Sequence, residues 1–232
     1  MIETAVILAG GLGTRLRSEI PNLPKPMAPI GDKPFLQHQM DFCISQGVRK
    51  FYLSVGYMKE KITSYFGVRY KSAEIEYLVE TKPLGTGGAI LNSLNRIDQS
   101  FFLLNGDTFF DISFEDFFDF HQEKKSLFSM ALFRTSNTER YMGIKLDESN
   151  TILSCHEKSN NKSIFANGGI YIVNQEIFIN FEISEVKTSL EDDILPKIIG
   201  KDSRVNGLCF DNFFIDIGLP DDYIRAQTMF QK

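Results

Sequence analysis

The sequence predicts an α/β fold with a mixed, mostly parallel central sheet flanked by helices. Three observations predict it. Apolar, β-rich runs recur through the first half of the 232-residue chain, as "TAVIL", "FYLSV", "IEYLV" and "FFLLN". Segments with helical spacing of apolar residues lie between several of them, and strand–helix–strand alternation puts helices on both faces of a parallel sheet. From Ser129 onward the runs "SMALF", "GIKL", "ILSCHE" and "GGIYIV" follow one another with turn residues between and less helix, as expected of antiparallel strands added to that sheet.

Each helix has its own local reason. "PFLQHQMDFCISQ" sets Phe35, Met40 and Ile44 on one face, and "KEKITSYF", "GGAILNSL", "SFEDFFDFHQEK" and "SLEDDILPKI" behave similarly. The closing segment "PDDYIRAQTMF" opens with Pro220 and two acids, which suit a helix N-terminus. The phenylalanines of "FEDFFDF" are expected in the core. No repeat, low-complexity tract or linker interrupts the pattern, so residues 1–232 are expected to form one domain.

Hydrophobic residues make up 43% of the chain, enough for a substantial core. No stretch approaches the ~20 apolar residues of a membrane span. The start, "MIETAVIL", lacks the basic region and cleavage site of a secretory signal. The net charge of −5 has the wrong sign for a broad nucleic-acid footprint. Cys43, Cys155 and Cys209 are odd in number and far apart, which favours reduced thiols. The expectation is a soluble cytoplasmic protein without membrane or nucleic-acid partners. His38, His121 and His156 are too scattered for a His/Cys zinc site, and Asn161-Lys162-Ser163 matches a glycosylation acceptor only by chance if the chain is not exported.

Function is concentrated first in "AVILAGGLGTRL", residues 5–16. Gly11-Leu12-Gly13 lacks the third glycine of a dinucleotide loop, and no lysine follows to make a P-loop. What remains is a strand feeding a glycine turn that ends in Arg15. Gly10, Gly11 and Gly13 let backbone N–H groups approach a phosphate, and Arg15 supplies a fork matched to phosphate oxygens. Lys25, between prolines in "LPKPM", reads as a point charge delivered by a stiff, extended segment.

Further along, "FLLNGDTFF" ends an apolar strand in Asn105-Gly106-Asp107, where ligands of open α/β sheets sit. Asp107 there suits a hard cation such as Mg²⁺. Asp216 ends a second short apolar run in "FFIDIGLPDDY", and the two acids could share one ion. In "VETKPLGTGGAI", Gly85, Gly87 and Gly88 precede a helix expected to start near Ala89, with backbone against which a base could lie. Glu80, an acceptor-only carboxylate, suits the adjacent N1–H and N2–H₂ donors of guanine better than uracil's single donor. Glu157 and Lys158 in "SCHEKS", Gly143 in "YMGIKL" and Asn167 in "FANGGIY" read as sites where a sugar could meet acceptor, cation and backbone. Gly143 reads equally as a strand glycine marking a bulge.

In order, the chain carries "LAGGLGTRL", "PKPM", "PLGTGGAI", "NGDT", "HEKS", "NGGIY" and "DIGLPDDY". This series resembles the sugar-1-phosphate nucleotidylyltransferases, also called sugar-nucleotide pyrophosphorylases, from Ala5 to about Ala226. The resemblance implies a Rossmann-like, GT-A-like nucleotidyltransferase fold whose added antiparallel strands bind sugar. It implies a nucleoside triphosphate and a sugar 1-phosphate as partners, with Mg²⁺ as cofactor. It assigns catalysis to Arg15, Lys25 and Asp107, and the nucleotide to Leu8, Ala9, Gly10, Gly11, Gly13, Thr14, Glu80, Gly85 and Thr86. Asn105, Gly143, Glu157, Lys158 and Asn167 would hold the sugar phosphate, and Asp107 and Asp216 the metal. Ser159 departs from the E-K-P of many relatives, and the C-terminal β-helix that some of them carry is not expected.

Within the family, "LPKPMAPIGDKPFLQHQMDF", "YLSVGYMKEKITSYFG", "LNGDTFF" and "SLEDDILP" look most like the bacterial branch that transfers GMP to D-glycero-D-manno-heptose 1-phosphate for surface polysaccharide, in lipopolysaccharide or capsule. Mannose- or glucose-1-phosphate nucleotidylyltransferases using GTP or UTP stand as alternatives. A glycosyltransferase would be expected to show D-x-D where this chain has Asn105-Gly106-Asp107. A non-catalytic nucleotide sensor would be expected to have lost Arg15, Lys25 or an aspartate. Oligomeric state is left open, a homo-oligomer included.

Overall fold

The structure, a computed structural model, describes the chain except residues 12, 14, 15, 17, 18, 98, 99, 142, 158–162, 182–185, 200–203 and 231–232, and the side chains of His156 and Glu157. The first half runs β1 (Thr4–Leu8), a 3₁₀ turn at Lys25–Met27, a small hairpin of β2 (Pro29–Ile30) and β3 (Lys33–Pro34), and α1 (Phe35–Ser45). There follow β4 (Lys50–Val55), α2 (Lys59–Phe66), β5 (Arg69–Tyr70), β6 (Ala73–Val79), α3 (Gly85–Ser93), β7 (Phe101–Asn105), β8 (Thr108–Phe110) and α4 (Phe114–Glu123). The second half holds β9 (Phe128–Thr135), β10 (Gly143–Leu146), β11 (Ile152–Glu157) and β12 (Ile164–Val173). It closes with a π-helical turn at Leu190–Ile194 running into α5 (Leu195–Ile198), then β13 (Val205–Phe210), β14 (Phe214–Asp216) and α6 (Pro220–Met229).

The main sheet has the order β11-β10-β12-β7-β1-β4-β6-β5, with β9 joined to β12 and β13 to β9. Strands β7, β1, β4 and β6 are mutually parallel, as the alternation predicts. Strand β1 lies at the centre, and its Ala5, Val6 and Ile7 are fully buried, the continuous apolar run of a strand covered on both faces. The register sets Leu8 beside Ser54 on one side and Asn105 on the other, while Val55 pairs with Val79. The carboxyl ends of four strands therefore reach one edge, and the loops that follow them converge there. Strand β12 pairs antiparallel with both β7 and β9, which makes the sheet mixed.

Amphipathic packing seats the helices. On α4, Phe114, Phe117 and Phe120 are buried, Ser113 caps the N-terminus by accepting from Asp116 N, and Glu115 and Asp116 complement the helix dipole. The phenylalanine run is core, as expected, and Phe114 stacks on Phe102 of β7 with ring centroids 4.1 Å apart.

The structure departs from the sequence reading at definite places. Strand β13 is not among the runs read from the sequence. It pairs parallel with β9, and a side chain at Gly207 would meet Leu132 Cδ1 at 2.7 Å, so the glycine serves packing. Helix α3 begins at Gly85, not near Ala89, so its glycines form the first turn. Lys25 sits in a 3₁₀ turn that follows an extended Pro24, not in an extended segment. The segment read as one helix from Ser189 is a π-helical turn followed by α-helix.

Candidate functional site

At the edge where the parallel strands end lies a cavity of about 620 Å³, within the ~300–1,000 Å³ of small-molecule sites. Its floor comes from the end of β1 and the glycine turn, through Leu8, Gly10, Gly11 and Gly13. Lys25 enters from the 3₁₀ turn, Glu80 from the end of β6, and Gly85 and Thr86 from the start of α3. Asn105, Gly106 and Asp107 close it from the end of β7. Most of the residues singled out in the sequence thus meet in one place.

Lys25 is only 9% exposed, and its ammonium pairs with the Asp107 carboxylate. Gln39 of α1 fixes the turn that carries Asp107, donating from Nε2 to Asn105 O at 2.8 Å and Thr108 O at 2.6 Å. Strand β14 pairs antiparallel with β8 and sets Asp216 opposite Thr108, next to Asp107 in the chain, while Ile217 N donates to Asp107 O at 2.9 Å. Asp216 Oδ1 accepts Gly218 N at 2.6 Å. A Cβ at Gly218 would stand 2.6 Å from Asp216 Oδ1 and 2.9 Å from Lys25 Nζ, so one point faces both groups. The lysine cation already lies among carboxylates from two strand ends. Such a hard oxygen donor set fits a divalent ion that takes its remaining ligands from phosphate and water. Among the described residues no group of three or more His, Cys, Asp and Glu side chains gathers into a metal cage.

Glu80 lies over the glycine turn. Its Oε1 accepts the Ser54 hydroxyl at 2.7 Å and its Oε2 accepts Leu84 N at 3.0 Å. A Cβ at Gly10 would approach Oε1 to 2.5 Å, so only glycine leaves room for this carboxylate. The first-turn glycines of α3 serve a neighbouring segment: Gly87 N and Gly88 N donate to Thr188 O at 2.9 and 3.2 Å, and a Cβ at Gly85 would stand 2.5 Å from that oxygen. Thr86 Oγ1 accepts Leu190 N at 2.8 Å and donates to Glu191 Oε2 at 2.9 Å.

Other expected residues stand apart from the wall. Ala9 is fully buried and donates to Ser54 O at 2.8 Å. Asn167 donates from Nδ2 to Tyr171 OH at 2.7 Å and accepts Gly169 N at 2.9 Å, holding the register shift of β12. Gly143 pairs with Glu157 at a register shift of β10, the bulge that its sequence context allows. Thr14, Arg15 and Lys158 lie outside the described residues, as does the Glu157 side chain.

The sequence reading missed part of the site. Lys187 and Ser189 line the cavity from the segment leading into the π-helical turn and Glu191 and Asp192 from the turn itself, yet "SLEDDILPKI" reads only as a helical segment. It also missed the support behind Asp216. Arg140 binds Asp216 Oδ2 at 3.2 Å and pairs with Asp222, which is 4% exposed and also accepts Arg225 NH1 at 2.7 Å. The last acid of "DIGLPDDY", Asp222, is therefore an anchor for arginines.

Residues 4–232 match the family model described as nucleotidyl transferase. The chain is 40% identical over 219 residues to the D-glycero-alpha-D-manno-heptose 1-phosphate guanylyltransferase of Campylobacter jejuni subsp. jejuni serotype O:2, covering 94% of this chain and 96% of that one. It is 41% identical over 228 residues to the protein of the same name from Aneurinibacillus thermoaerophilus, covering 98% of each. Among solved structures it resembles HddC from Yersinia pseudotuberculosis complexed with GMP-PN, with a TM-score of 0.85, 33% identity, and 99% of this chain and 100% of that one covered.

Proposed function

The chain belongs to the nucleotidyl transferase family, and we propose that it transfers GMP from GTP to D-glycero-α-D-manno-heptose 1-phosphate, releasing pyrophosphate. One observation carries the reading: identity of 40–41% over nearly the full length of two heptose 1-phosphate guanylyltransferases. The cavity supplies the parts such a reaction needs. Its product, a GDP-heptose, is a donor for bacterial surface polysaccharide, and the reaction is placed in the cytoplasm.

A phosphate oxygen of the sugar phosphate attacks the α-phosphorus of GTP. The new O–P bond forms as the bond from the α-phosphorus to the oxygen bridging to the β-phosphate breaks, and that oxygen leaves with pyrophosphate. The nucleophile is already anionic near neutral pH, so no general base is required. The barrier is the meeting of two polyanions in line, so positioning and charge neutralisation carry catalysis. The N–H groups at Gly10, Gly11 and Gly13 cradle the triphosphate, and Lys25 holds α-phosphate charge as it develops. Arg15 shares that role as a charged fork for phosphate oxygens. Glu80 accepts from guanine N1–H and N2–H₂, with Leu8, Gly85 and Thr86 beside the base and ribose. Asn105, Gly143, Glu157, Lys158 and Asn167 serve the sugar phosphate. Asp107 and Asp216 would hold Mg²⁺, which when bound screens phosphate charge as a Lewis acid.

The test is a grid of pyrophosphate release: GTP, ATP, UTP and CTP against heptose, mannose and glucose 1-phosphates with Mg²⁺. The proposal expects the highest kcat/KM for GTP with the heptose phosphate. A higher value for a hexose phosphate or another base would replace the substrate named here.

A further inference from the structure

We propose that Ser54 sets the base preference of this cavity by holding the Glu80 carboxylate in place, an inference that rests on the reading of Glu80 as the guanine acceptor. Ser54 is the penultimate residue of β4, where Phe51, Tyr52, Leu53 and Val55 are all buried, and is itself fully buried. A hydroxyl in such a strand is costly unless it is bonded. Its bond goes to Glu80 Oε1 at 2.7 Å, 26 positions along the chain.

The frame around this pair is rigid. Ala9 N donates to Ser54 O at 2.8 Å, and Glu80 N donates to Val55 O at 2.8 Å. Leu84 N holds the second carboxylate oxygen at 3.0 Å, and Gly10 leaves just enough room beneath the first. Among the described residues each oxygen of Glu80 therefore has one fixed donor from the protein. A carboxylate offers about four lone-pair sites, so each oxygen keeps capacity for one more donor.

A carboxylate held this way presents two adjacent acceptors. Guanine matches them with adjacent donors at N1 and N2. Uracil sets acceptors on both sides of its single N3–H, and cytosine and adenine each place a ring-nitrogen acceptor beside their amino group. Those bases set lone pairs against the carboxylate. The discrimination depends on the carboxylate staying unrotated, because a rotated Glu80 could offer other bases a single acceptor. The Ser54 hydroxyl donates to one carboxylate oxygen and opposes that rotation. Ser54 is thus a positioning residue that acts through Glu80.

The experiment measures kcat and KM for GTP and UTP in pyrophosphate release for wild type, Ser54→Ala, Ser54→Cys, Ser54→Thr, Glu80→Gln and the double variant Ser54→Ala/Glu80→Gln. Ser54→Ala and Ser54→Cys are expected to lower the GTP-over-UTP ratio of kcat/KM about tenfold, the weight of one hydrogen bond to a charged group, with the loss falling on KM for GTP. Cysteine is close in volume and a weak donor, so it serves if alanine unfolds the strand. Ser54→Thr is expected to keep the ratio, and the double variant to be no less selective than Glu80→Gln. If Glu80→Gln leaves the ratio unchanged, the reading of Glu80 is overturned, and this inference with it. If Glu80→Gln lowers the ratio and Ser54→Ala and Ser54→Cys do not, or lower GTP and UTP use equally, only the role of Ser54 is overturned.

Discussion

Lys25 and Asp107, 82 positions apart in the chain, meet as an ion pair inside the cavity. Neither belongs to a long regular element: one sits in a 3₁₀ turn and the other in the turn after β7. A nearly buried ammonium held by a carboxylate adds little net stability, because desolvation offsets attraction. Its value is a cation kept in place for phosphate. Lys25→Met should therefore lower kcat by about 10²-fold or more with a smaller fall in melting temperature than loss of the aspartate, because the Asp107 carboxylate left unpaired is one-third exposed. Asp107→Ala, which strands the ammonium, should lower the melting temperature. Pyrophosphate release and a thermal melt on the same preparations check both.

Gly218 faces the point shared by Lys25 and Asp216. A methyl group there must push aside side-chain ends, which can move, and the Asp216 bond to Gly218 N. Gly218→Ala should fold, with a circular dichroism spectrum like wild type, and lose roughly tenfold or more in turnover, since a 1 Å misplacement costs up to about 10²-fold.

Asp222 gathers Arg140 and Arg225 at a nearly buried carboxylate, and Arg140 reaches on to Asp216. Asp222→Ala leaves Arg140, itself largely sheltered, short of one partner. The loss should be about 2 kcal/mol, below the ~3–5 kcal/mol of a fully buried pair because both arginines keep some solvent. A lower urea midpoint with an unchanged slope is the expected readout.

His121 is 2% exposed on α4, its Nδ1 2.8 Å from Ser129 Oγ, and burial pushes its imidazole down to about 4 from the ordinary 6.5. Between those values the unfolded chain takes a proton that the folded chain refuses. The unfolded state then binds more protons, so this residue lowers stability as pH falls from 6.5 to about 4 and has no such effect above that window. The full effect is roughly 3 kcal/mol. His121→Gln should be less stable than wild type at pH 7, and the gap should narrow or reverse by pH 4.5, as read from urea midpoints at both values.

Much of this was legible before any coordinates. Apolar runs bounded by turns marked β1, β4, β6 and β7, and the residues just beyond them, Gly10, Glu80 and Asp107, do line the cavity. Legibility failed where a partner is remote and the residue type is ordinary. A serine in "FYLSV" gives no sign that a glutamate 26 positions on will take its hydroxyl. Arg140 and Asp222 have no shared pattern, being brought together by the fold alone. Asn206-Gly207 carries turn chemistry but lies within β13. Glu191 and Asp192 of "SLEDD" fit a helix N-terminus as well as a cavity wall, and they are both.

The account stands on the cavity at the ends of β1, β6 and β7 being where GTP is held for attack. A crystal structure of the chain with GTP and Mg²⁺ tests this most directly. The account predicts triphosphate against Gly10–Gly13 within reach of Lys25, the ion on Asp107 and Asp216, and the guanine edge on Glu80. Triphosphate bound away from Lys25, or an ion that leaves both aspartates untouched, would contradict it.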